Sequence, residues 1–167
     1  DLRYNGGGNM NPMVEGLATI IGNGPSGGAV GVVPTDDVTW EIVDGDFFNN
    51  GYSIRLPNSC SYDSFPKVAV LTSLYTASSG EAVAVIFKGR DRTRFFGGNT
   101  LGMVTGTNWE VISEEISMSI SVNYYRDRTG KVYRNYVDVD EEIAFASDTE
   151  ARIDPCVRRS IEWLMQE

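Results

Sequence analysis

The sequence contains no histidine, so no histidine metal ligand, histidine general base or Ser-His-Asp triad can be completed within it. It has only two cysteines, Cys60 and Cys156, which excludes a cysteine-rich zinc site. The two thiols either form one disulfide or stay free, and the sequence leaves both states open. No apolar run approaches the ~20 residues that a helix needs to cross a bilayer.

The composition is that of a folded, acidic domain. The 167 residues form one expected domain, 1–167, which is long enough to bury a core. The net charge of −9 makes nucleic acids and anionic membrane surfaces poor partners. The segment Asp1–Arg3 reads as the end of a strand whose beginning is missing. We therefore expect an upstream segment of the same protein.

The order of apolar segments predicts an α/β fold with a mixed, mostly parallel sheet. Residues 67–71 and 94–97 form short, continuous apolar runs, which are typical of strands buried on both faces. A helix over 82–88 is predicted between them. Since a helix that follows a buried strand places their connecting turn at the carboxyl edge of the sheet, this turn is where a ligand would bind.

Other elements follow from periodicity and turn residues. An amphipathic strand is predicted where apolar residues alternate strictly with polar ones between Ile116 and Tyr124. Further predicted elements are a helix that starts at Asn11-Pro12 and ends at Gly22, a hairpin turn at 127–130 leading into a strand over 131–137, and a last helix capped by Asp154-Pro155 with Val157, Ile161 and Leu164 facing inward.

Ser78 is the candidate nucleophile of the chain. It lies in the turn before the helix over 82–88, where the helix dipole and free N–H groups favour an alkoxide or oxyanion. The alternative is structural, because Ser78 and Glu81 have the spacing of a capping box. The two roles can coexist.

A second candidate segment is the glycine run Gly6–Gly8. Three glycines after a strand allow the backbone to approach a ligand closely and to turn N–H groups toward an anion. The segment lacks the spacing of a dinucleotide-binding or phosphate-binding loop, so a tight turn is the alternative interpretation.

Three segments together resemble the C-terminal processing, or tail-specific, serine peptidases. Residues 1–8 are similar to the DLRxNxGG segment of that family, and residues 76–81 resemble its nucleophile turn, TASxxE. Residues 96–102 are similar to the hGxxTxG stretch that follows the nucleophile helix. Each motif is modest alone, but the three occur in the family's order and spacing.

The resemblance implies a crotonase-like, ClpP-like core of ββα units and cleavage of peptide bonds through an acyl-enzyme. Ser78 takes the nucleophile's position, and the N–H groups of Gly7 and Ser79 would form the oxyanion hole. The loss of one such donor costs about 3 kcal/mol in other serine peptidases. The resemblance further implies a peptide or protein substrate and no cofactor. It favours an exported protein and leaves homo-oligomerisation open.

The chain departs from the family at the general base. In the Ser-Lys branch a lysine follows the nucleophile by 25 residues, but that position is Met103, which cannot accept a proton. The three lysines of the chain, Lys67, Lys88 and Lys131, are all predicted to lie far from Ser78. The tricorn-like branch resembles the chain better, because its histidine base comes from a segment upstream of DLRxNxGG. The glutamate that orients this histidine stays unassigned.

Two other functions stay open. The lack of a histidine and of a suitable lysine fits a peptidase-like domain without catalysis that binds a peptide or a small apolar ligand. A crotonase-fold enzyme acting on an acyl thioester would use the same kind of oxyanion hole. The turn from Thr76 to Glu81 favours the peptidase.

For three further groups of residues, a structural role is expected before a functional one. The acidic cluster, Asp138 with 140–142, is expected to be a solvated loop, since it lacks the spacing of an EF-hand calcium site. Cys156 is expected to be packed or disulfide-bonded. The basic cluster Arg90, Arg92 and Arg94 either complements the C-terminus of the helix before it or holds a peptide carboxylate.

Overall fold

The computed structural model describes residues 1–54, 65–144 and 154–166. Two short helices and antiparallel strands form the first part of the chain, and a strand–helix–strand unit, a long hairpin and a last helix follow. The elements are α1 (Met10–Glu15), α2 (Ala18–Ile21), β1 (Gly24–Gly31), a 3-10 helix (Pro34–Asp36), β2 (Val38–Val43), β3 (Asp46–Asn49), β4 (Tyr52–Ile54), β5 (Val68–Thr72), α3 (Ser79–Phe87), β6 (Thr93–Gly97), β7 (Thr105–Val111), β8 (Ser117–Asp127), β9 (Glu141–Glu142) and α4 (Pro155–Leu164).

The strands form two sheets that enclose one helix. A six-stranded antiparallel sheet has the order β4-β3-β2-β1-β8-β7, and a three-stranded parallel sheet has the order β5-β6-β9. Helix α3 contacts β1 and β8 of the first sheet and β5 of the second. All nine residues of α3 are buried, so this helix forms the centre of the core.

The predicted α/β class is confirmed, but the prediction of a mostly parallel sheet is wrong. Within the described residues, five strand pairings are antiparallel and two are parallel. The reason lies in two short turns, Asp44-Gly45 and Asn50-Gly51, whose four residues all have positive φ. Such two-residue turns join antiparallel strands, so β2, β3 and β4 form a meander.

The parallel strands are buried on both faces, as their apolar runs predicted. Val70 and Phe95 pack into the main core with α3. Leu71 and Phe96 face the opposite way and pack with residues of α4. The ring centroids of Phe96 and Trp163 lie 5.9 Å apart. The parallel sheet is therefore covered by α3 on one face and α4 on the other.

The terminal helices differ in detail from the predictions. The first predicted helix is divided into α1 and α2, because α1 ends at Gly16, and its N-cap is Asn9 rather than Asn11. Helix α4 begins as predicted, with the Asp154 carboxylate accepting from the N–H groups of Cys156 and Val157.

Two of the residues expected to face inward from α4 do not, because Ile161 and Leu164 are exposed. Cys156 is a buried free thiol, whereas Cys60 lies outside the described residues. Within the described part of the chain, no helix has the length and apolar character that crossing a membrane requires.

The amphipathic strand exists as β8, but its outer half is not half-buried. Ile116, Met118 and Ile120 are exposed, and the residues that β8 buries are Asn123, Tyr125 and Asp127. The strand predicted over 131–137 is also wrong, since only a single bridge pairs Arg126 with Val132. The turn before it is present, and the Asp127 carboxylate accepts from the backbone N–H groups of residues 129 and 131.

Candidate functional site

The turn between β5 and α3 is held by hydrogen bonds to the chain's first residues. The Thr76 hydroxyl is completely buried and donates to the carbonyl of Leu2 at 2.7 Å. The Ser73 hydroxyl donates to the carbonyl of Arg3. Leu2 N–H in turn donates to Leu71 at the end of β5. The DLRxNxGG segment therefore lies beside the nucleophile turn, as the motif order implied.

Ser78 occupies an unusual backbone conformation at the start of α3. Its φ of +51° and ψ of −120° lie in a region that non-glycine residues rarely adopt. Such a conformation costs about 1–3 kcal/mol and persists only where the surroundings enforce it. The side chain is half-buried at the N-terminus of a helix. A strained strand-to-helix turn of this kind is how α/β hydrolases expose a nucleophilic serine.

The glycine loop packs directly against Ser78. A Cβ atom on Gly7, whose φ is +113°, would lie 2.9 Å from the Ser78 Cβ. The loop is tied to the turn by Ala77 N–H, which donates to Asn5 at 2.9 Å, and by the Ser79 hydroxyl, which donates to the Gly8 carbonyl at 2.5 Å. The structure thus brings together Gly7, Ser78 and Ser79, the three predicted site residues.

Of the two N–H groups predicted to form the oxyanion hole, one is without an acceptor in the described part of the chain and the other is already hydrogen-bonded. Ser79 N–H is at the first position of α3, and it has no acceptor among the residues that the structure describes. Gly7 N–H is already donated to the Asn5 side-chain oxygen, at 3.1 Å. An oxyanion at this position would have to replace Asn5 as the acceptor, so the roles of Gly7 and Ser79 stay predictions.

Glu81 links the nucleophile turn to the third motif. Its side chain is completely buried. The Oε2 atom accepts from Ser78 N–H at 2.9 Å, and Ser78 and Glu81 form the capping box that their spacing predicted. The Oε1 atom accepts from the Thr100 hydroxyl and from Gly102 N–H, the latter at 2.8 Å. The sequence analysis identified the capping spacing but missed the connection to 100–102.

The phenol of Tyr125 lies next to the Ser78 side chain. Burial and the nearby Glu81 carboxylate raise the pKa of the Tyr125 hydroxyl to about 12, and a hydrogen bond from Ser78 opposes this shift. The phenol is therefore protonated at neutral pH and can orient the Ser78 hydroxyl, but it is a poor general base. Tyr125 was missed because its position in the alternation of β8 reads as a polar-face residue.

A pocket of about 860 Å³ adjoins the nucleophile turn. Ala77, the residue before Ser78, and Gly6, the residue before Gly7, line the pocket, whereas Ser78 itself lies beside it and does not line it. Its other walls include the exposed apolar side chains of Leu101 and Met103. A mainly apolar cleft beside a half-exposed serine can hold an extended peptide with an apolar side chain.

The contacts of the three lysines place none of them as a general base for Ser78. Lys88 lies over the Phe95 ring and pairs with Asp138, and burial lowers its pKa. Lys131 also pairs with Asp138, and Lys67 contacts carbonyls at the end of α4. The prediction that all three lysines lie away from the nucleophile agrees with these contacts.

The acidic and basic clusters serve the fold. Asp138 pairs with two lysines, and Glu141 pairs with Arg94 and Arg159. Among the described residues, no group of three or more His, Cys, Asp or Glu side chains could hold a metal ion. Arg90 is buried and donates to the carbonyls of Ile20 and Ile21, so it caps α2 rather than the helix before it. Desolvation lowers its pKa to about 10.

The family model described as Peptidase family S41 matches residues 1–143. The chain belongs to peptidase family S41. This assignment confirms the family-level resemblance that the three motifs indicated.

A curated relative of this S41 chain is the nisin-resistance protein of Lactococcus lactis subsp. lactis. The two are 28% identical over 138 residues, which is 81% of this chain and 42% of the relative. The chain therefore spans less than half the length of that protein.

Solved structures share the fold of the S41 chain. A lipoprotein from Streptococcus agalactiae superposes with a TM-score of 0.70 at 23% identity, over 98% of this chain and 52% of that one. The photosystem II D1 C-terminal processing protease superposes with a TM-score of 0.60 at 22% identity, over 90% of this chain and 36% of that one. At these identities the likeness establishes a common fold.

Proposed function

We propose that this chain is the core of a serine-type peptidase in which Ser78 attacks the carbonyl carbon of a peptide bond. The Ser78 proton passes to a base while the new C–O bond forms. Breakage of the C–N bond then releases the amine, which takes that proton from the base. Water hydrolyses the acyl-enzyme ester and restores the Ser78 hydroxyl.

The observation that carries this proposal is the conformation of Ser78. A non-glycine residue with φ of +51° is held half-exposed at the N-terminus of a buried helix, beside a glycine loop and an apolar pocket. A helix cap alone does not need this conformation, because Ser commonly caps helices with an extended backbone. Membership of a peptidase family supports the same interpretation.

The base is proposed to come from outside residues 1–167. The chain has no histidine, and Met103 stands where the Ser-Lys branch has its lysine. A histidine from an upstream segment, as in the tricorn-like branch, would supply the missing group. The tail-specific substrate preference and the crotonase-like ancestry of the core belong to the same proposal.

The relatives narrow the substrates and the location to be tested. One relative is named a nisin-resistance protein, and one structural neighbour is a lipoprotein. We propose a peptide substrate, with nisin as the first peptide to try, and an exported or cell-envelope location for the whole protein. The acidic charge of −9 would favour cationic peptides over anionic ones.

A peptide-binding domain without catalysis is the second candidate. The observation that favours it is the hydrogen bond from Gly7 N–H to Asn5, which occupies one of the two predicted oxyanion donors. In that case Ser78 would act only as the start of α3, and the pocket would retain a peptide without cleaving it.

The first test is labelling with a fluorophosphonate probe, applied to the naturally encoded full-length protein. We expect one adduct per chain, mapped by mass spectrometry to Ser78. The Ser78→Ala variant should lose labelling and peptide cleavage entirely. Ser119→Ala is the matched control, since Ser119 is an exposed serine in the outer part of β8, six residues from Tyr125, and its loss should change neither.

The outcomes separate the two candidates. An adduct on Ser78 together with cleavage of a peptide supports the peptidase. A folded protein that binds peptide, is not labelled and cleaves nothing would overturn the peptidase and leave the binding domain.

A further inference from the structure

Glu81 is a buried carboxylate that the acyl-enzyme mechanism does not use. Its two oxygens point to two different parts of the site. Oε2 accepts the backbone N–H of Ser78, the residue with the strained backbone. Oε1 accepts two donors of the loop that carries Leu101 and Met103, which line the pocket.

The loop at residues 100–102, whose donors bind Oε1, also contacts residues 135–137 on its other side. The Thr100 hydroxyl donates to Glu81 and accepts from Val137 N–H at 2.8 Å. Gly102 has a φ of +103°, and a Cβ atom there would lie 2.4 Å from the Asn135 carbonyl oxygen. The loop therefore has little freedom, and a movement of the Glu81 side chain would be transmitted to the Ser78 backbone.

We propose that Glu81 is a positioning residue with two separable tasks: Oε2 fixes the Ser78 backbone for attack, and Oε1 fixes the pocket wall formed by Leu101 and Met103. This inference rests on the proposed function of Ser78. A carboxylate suits both tasks because it accepts at both oxygens and needs no proton of its own.

The chemistry of glutamine separates the two tasks. In Glu81→Gln one oxygen becomes an NH2 group, which cannot accept a hydrogen bond. The remaining oxygen should stay with the two donors of Thr100 and Gly102, because the other side offers only Ser78 N–H. The pocket wall is then preserved, while two donors face each other at Ser78 and the turn must shift.

The experiment measures saturation kinetics of fluorophosphonate labelling on the full-length protein. For Glu81→Gln we expect the maximal labelling rate to fall about 10²-fold, since misplacing a reacting group by about 1 Å has an effect of this size. The half-saturating probe concentration should change less than about threefold, because the pocket residues are unchanged.

The matched control is Glu15→Gln. Glu15 is also a buried carboxylate, and it accepts Phe47 N–H at 2.6 Å in a hydrogen bond that joins α1 to β3. Both variants replace a buried carboxylate by an amide, but in Glu15→Gln the amide oxygen can still accept from Phe47 N–H. This control therefore measures the effect of replacing a buried carboxylate without placing an NH2 group against a backbone donor. Only Glu81→Gln should lower the maximal labelling rate.

A second variant tests the other oxygen. Thr100→Val removes one donor to Oε1 and the acceptor of Val137 N–H, and it leaves the bond between Oε2 and Ser78 N–H in place. Here we expect the half-saturating concentration to rise about fivefold, because the loop that carries Leu101 and Met103 loses two of its hydrogen bonds, with the maximal rate within about threefold. This variant also decides the matter if Glu81→Gln does not fold.

The results distinguish failure of the inference from failure of the function. Absence of labelling in the unaltered protein would overturn the peptidase proposal itself. Labelling of the unaltered protein, with Glu81→Gln and Thr100→Val both behaving like Glu15→Gln, would overturn only the role of Glu81.

Discussion

The nucleophile turn buries polar side chains, whereas the outer part of the β7–β8 hairpin exposes apolar ones. Around the turn, polar side chains are buried: Thr76 and Glu81 are fully inaccessible and Thr100 is 2% exposed. In the outer hairpin, which comprises residues 107–121, every residue is exposed. Its large apolar side chains include Trp109 at 70% and Ile116 at 59% exposure.

The difference shows that hydropathy alone does not decide burial in this protein. Thr76, Glu81 and Thr100 are buried at little cost because each has hydrogen-bond partners in the turn or in the loop at 100–102. The apolar residues of the outer hairpin are exposed because the two strands extend beyond α3, which covers only the inner part of β8. Burial follows from which surfaces the connections bring together.

The largest expected effect comes from making the same substitution, isoleucine to alanine, in the buried helix α3 and in the exposed hairpin. Ile86 in α3 is completely buried, whereas Ile116 is mainly exposed. Ile86→Ala should lower the free energy of unfolding by about 2–5 kcal/mol, because it removes methylene groups from a packed core. Ile116→Ala should change it by about 0.5 kcal/mol or less. Denaturant titration followed by circular dichroism measures both values.

Equal losses for the two variants would contradict the contrast. They would mean that the outer hairpin is covered in solution, and sedimentation of the Ile116→Ala protein would then show whether a second copy covers it.

The next largest effect concerns the contact between the glycine loop and α3. A Cβ atom at Gly80 would lie 2.3 Å from the Asn5 carbonyl oxygen, which accepts the bond from Ala77 N–H. Gly80→Ala should therefore destabilise the protein by about 1–3 kcal/mol. This outweighs the roughly 0.5–1 kcal/mol that alanine gains over glycine in a helix. Labelling of Ser78 should fall as well.

Gly16→Ala is the control for this substitution. The nearest atom to a Cβ there is 3.5 Å away, an ordinary contact distance, and φ is −63°. We expect unchanged or slightly raised stability, measured by the same titration, and normal labelling. A Gly80→Ala protein as stable and as reactive as Gly16→Ala would show that the close approach of Asn5 is dispensable.

The smallest expected effect is the response of the core to alkaline pH. The pKa of Tyr125 is raised to about 12 in the folded state, from about 10 in the unfolded chain. Between these values the unfolded chain has lost a proton that the folded protein keeps, so stability is complete below pH 10 and falls as the pH rises. At pH 11 the loss from this group is about 1.4 kcal/mol.

Stability measured from pH 9 to pH 11.5 checks this sign. Tyr125→Phe should decline less steeply than the unaltered protein over that range, although Tyr133, whose pKa is also raised, keeps a part of the slope. An identical slope in the two proteins would argue against a buried, protonated phenol beside Ser78.

Much of the site could be predicted from the sequence because its signals are local. Ser78 lies between an apolar run and a helix, which predicts its place at the carboxyl edge of a sheet. The glycine run was expected to follow a strand end. Residues 1–3 form no strand in the structure, but Leu2 N–H donates to the Leu71 carbonyl and so brings the run to the same edge.

The connection from Glu81 to Thr100 and Gly102 could not be derived, since no short-range pattern links a carboxylate to a loop 19 residues later. Tyr125 was not predicted as a site residue because β8 buries the face that carries Asn123, Tyr125 and Asp127, and in the sequence this face alternates with the apolar one.

The fold was predictable to the same extent. The continuous apolar segments at 67–71 and 94–97 determine two parallel strands, because only an element covered on both faces tolerates such runs. The turns Asp44-Gly45 and Asn50-Gly51 each carry a hairpin signal, which predicts that the strands on either side are antiparallel. Reading that signal fully would have predicted an antiparallel meander.

The sequence by itself determined the family, the site motifs and the lack of an internal histidine base, because these depend on residue identity and spacing. Only the tertiary structure decided which face of β8 is buried, that Gly7 N–H is already bound to Asn5, and that Glu81 joins two motifs. The burial of β8 and the contacts of Glu81 depend on segments far apart in the chain, which meet because the two sheets close around α3. The bond from Gly7 N–H to Asn5 is local and depends on the backbone conformation of the glycine loop, which the sequence leaves open.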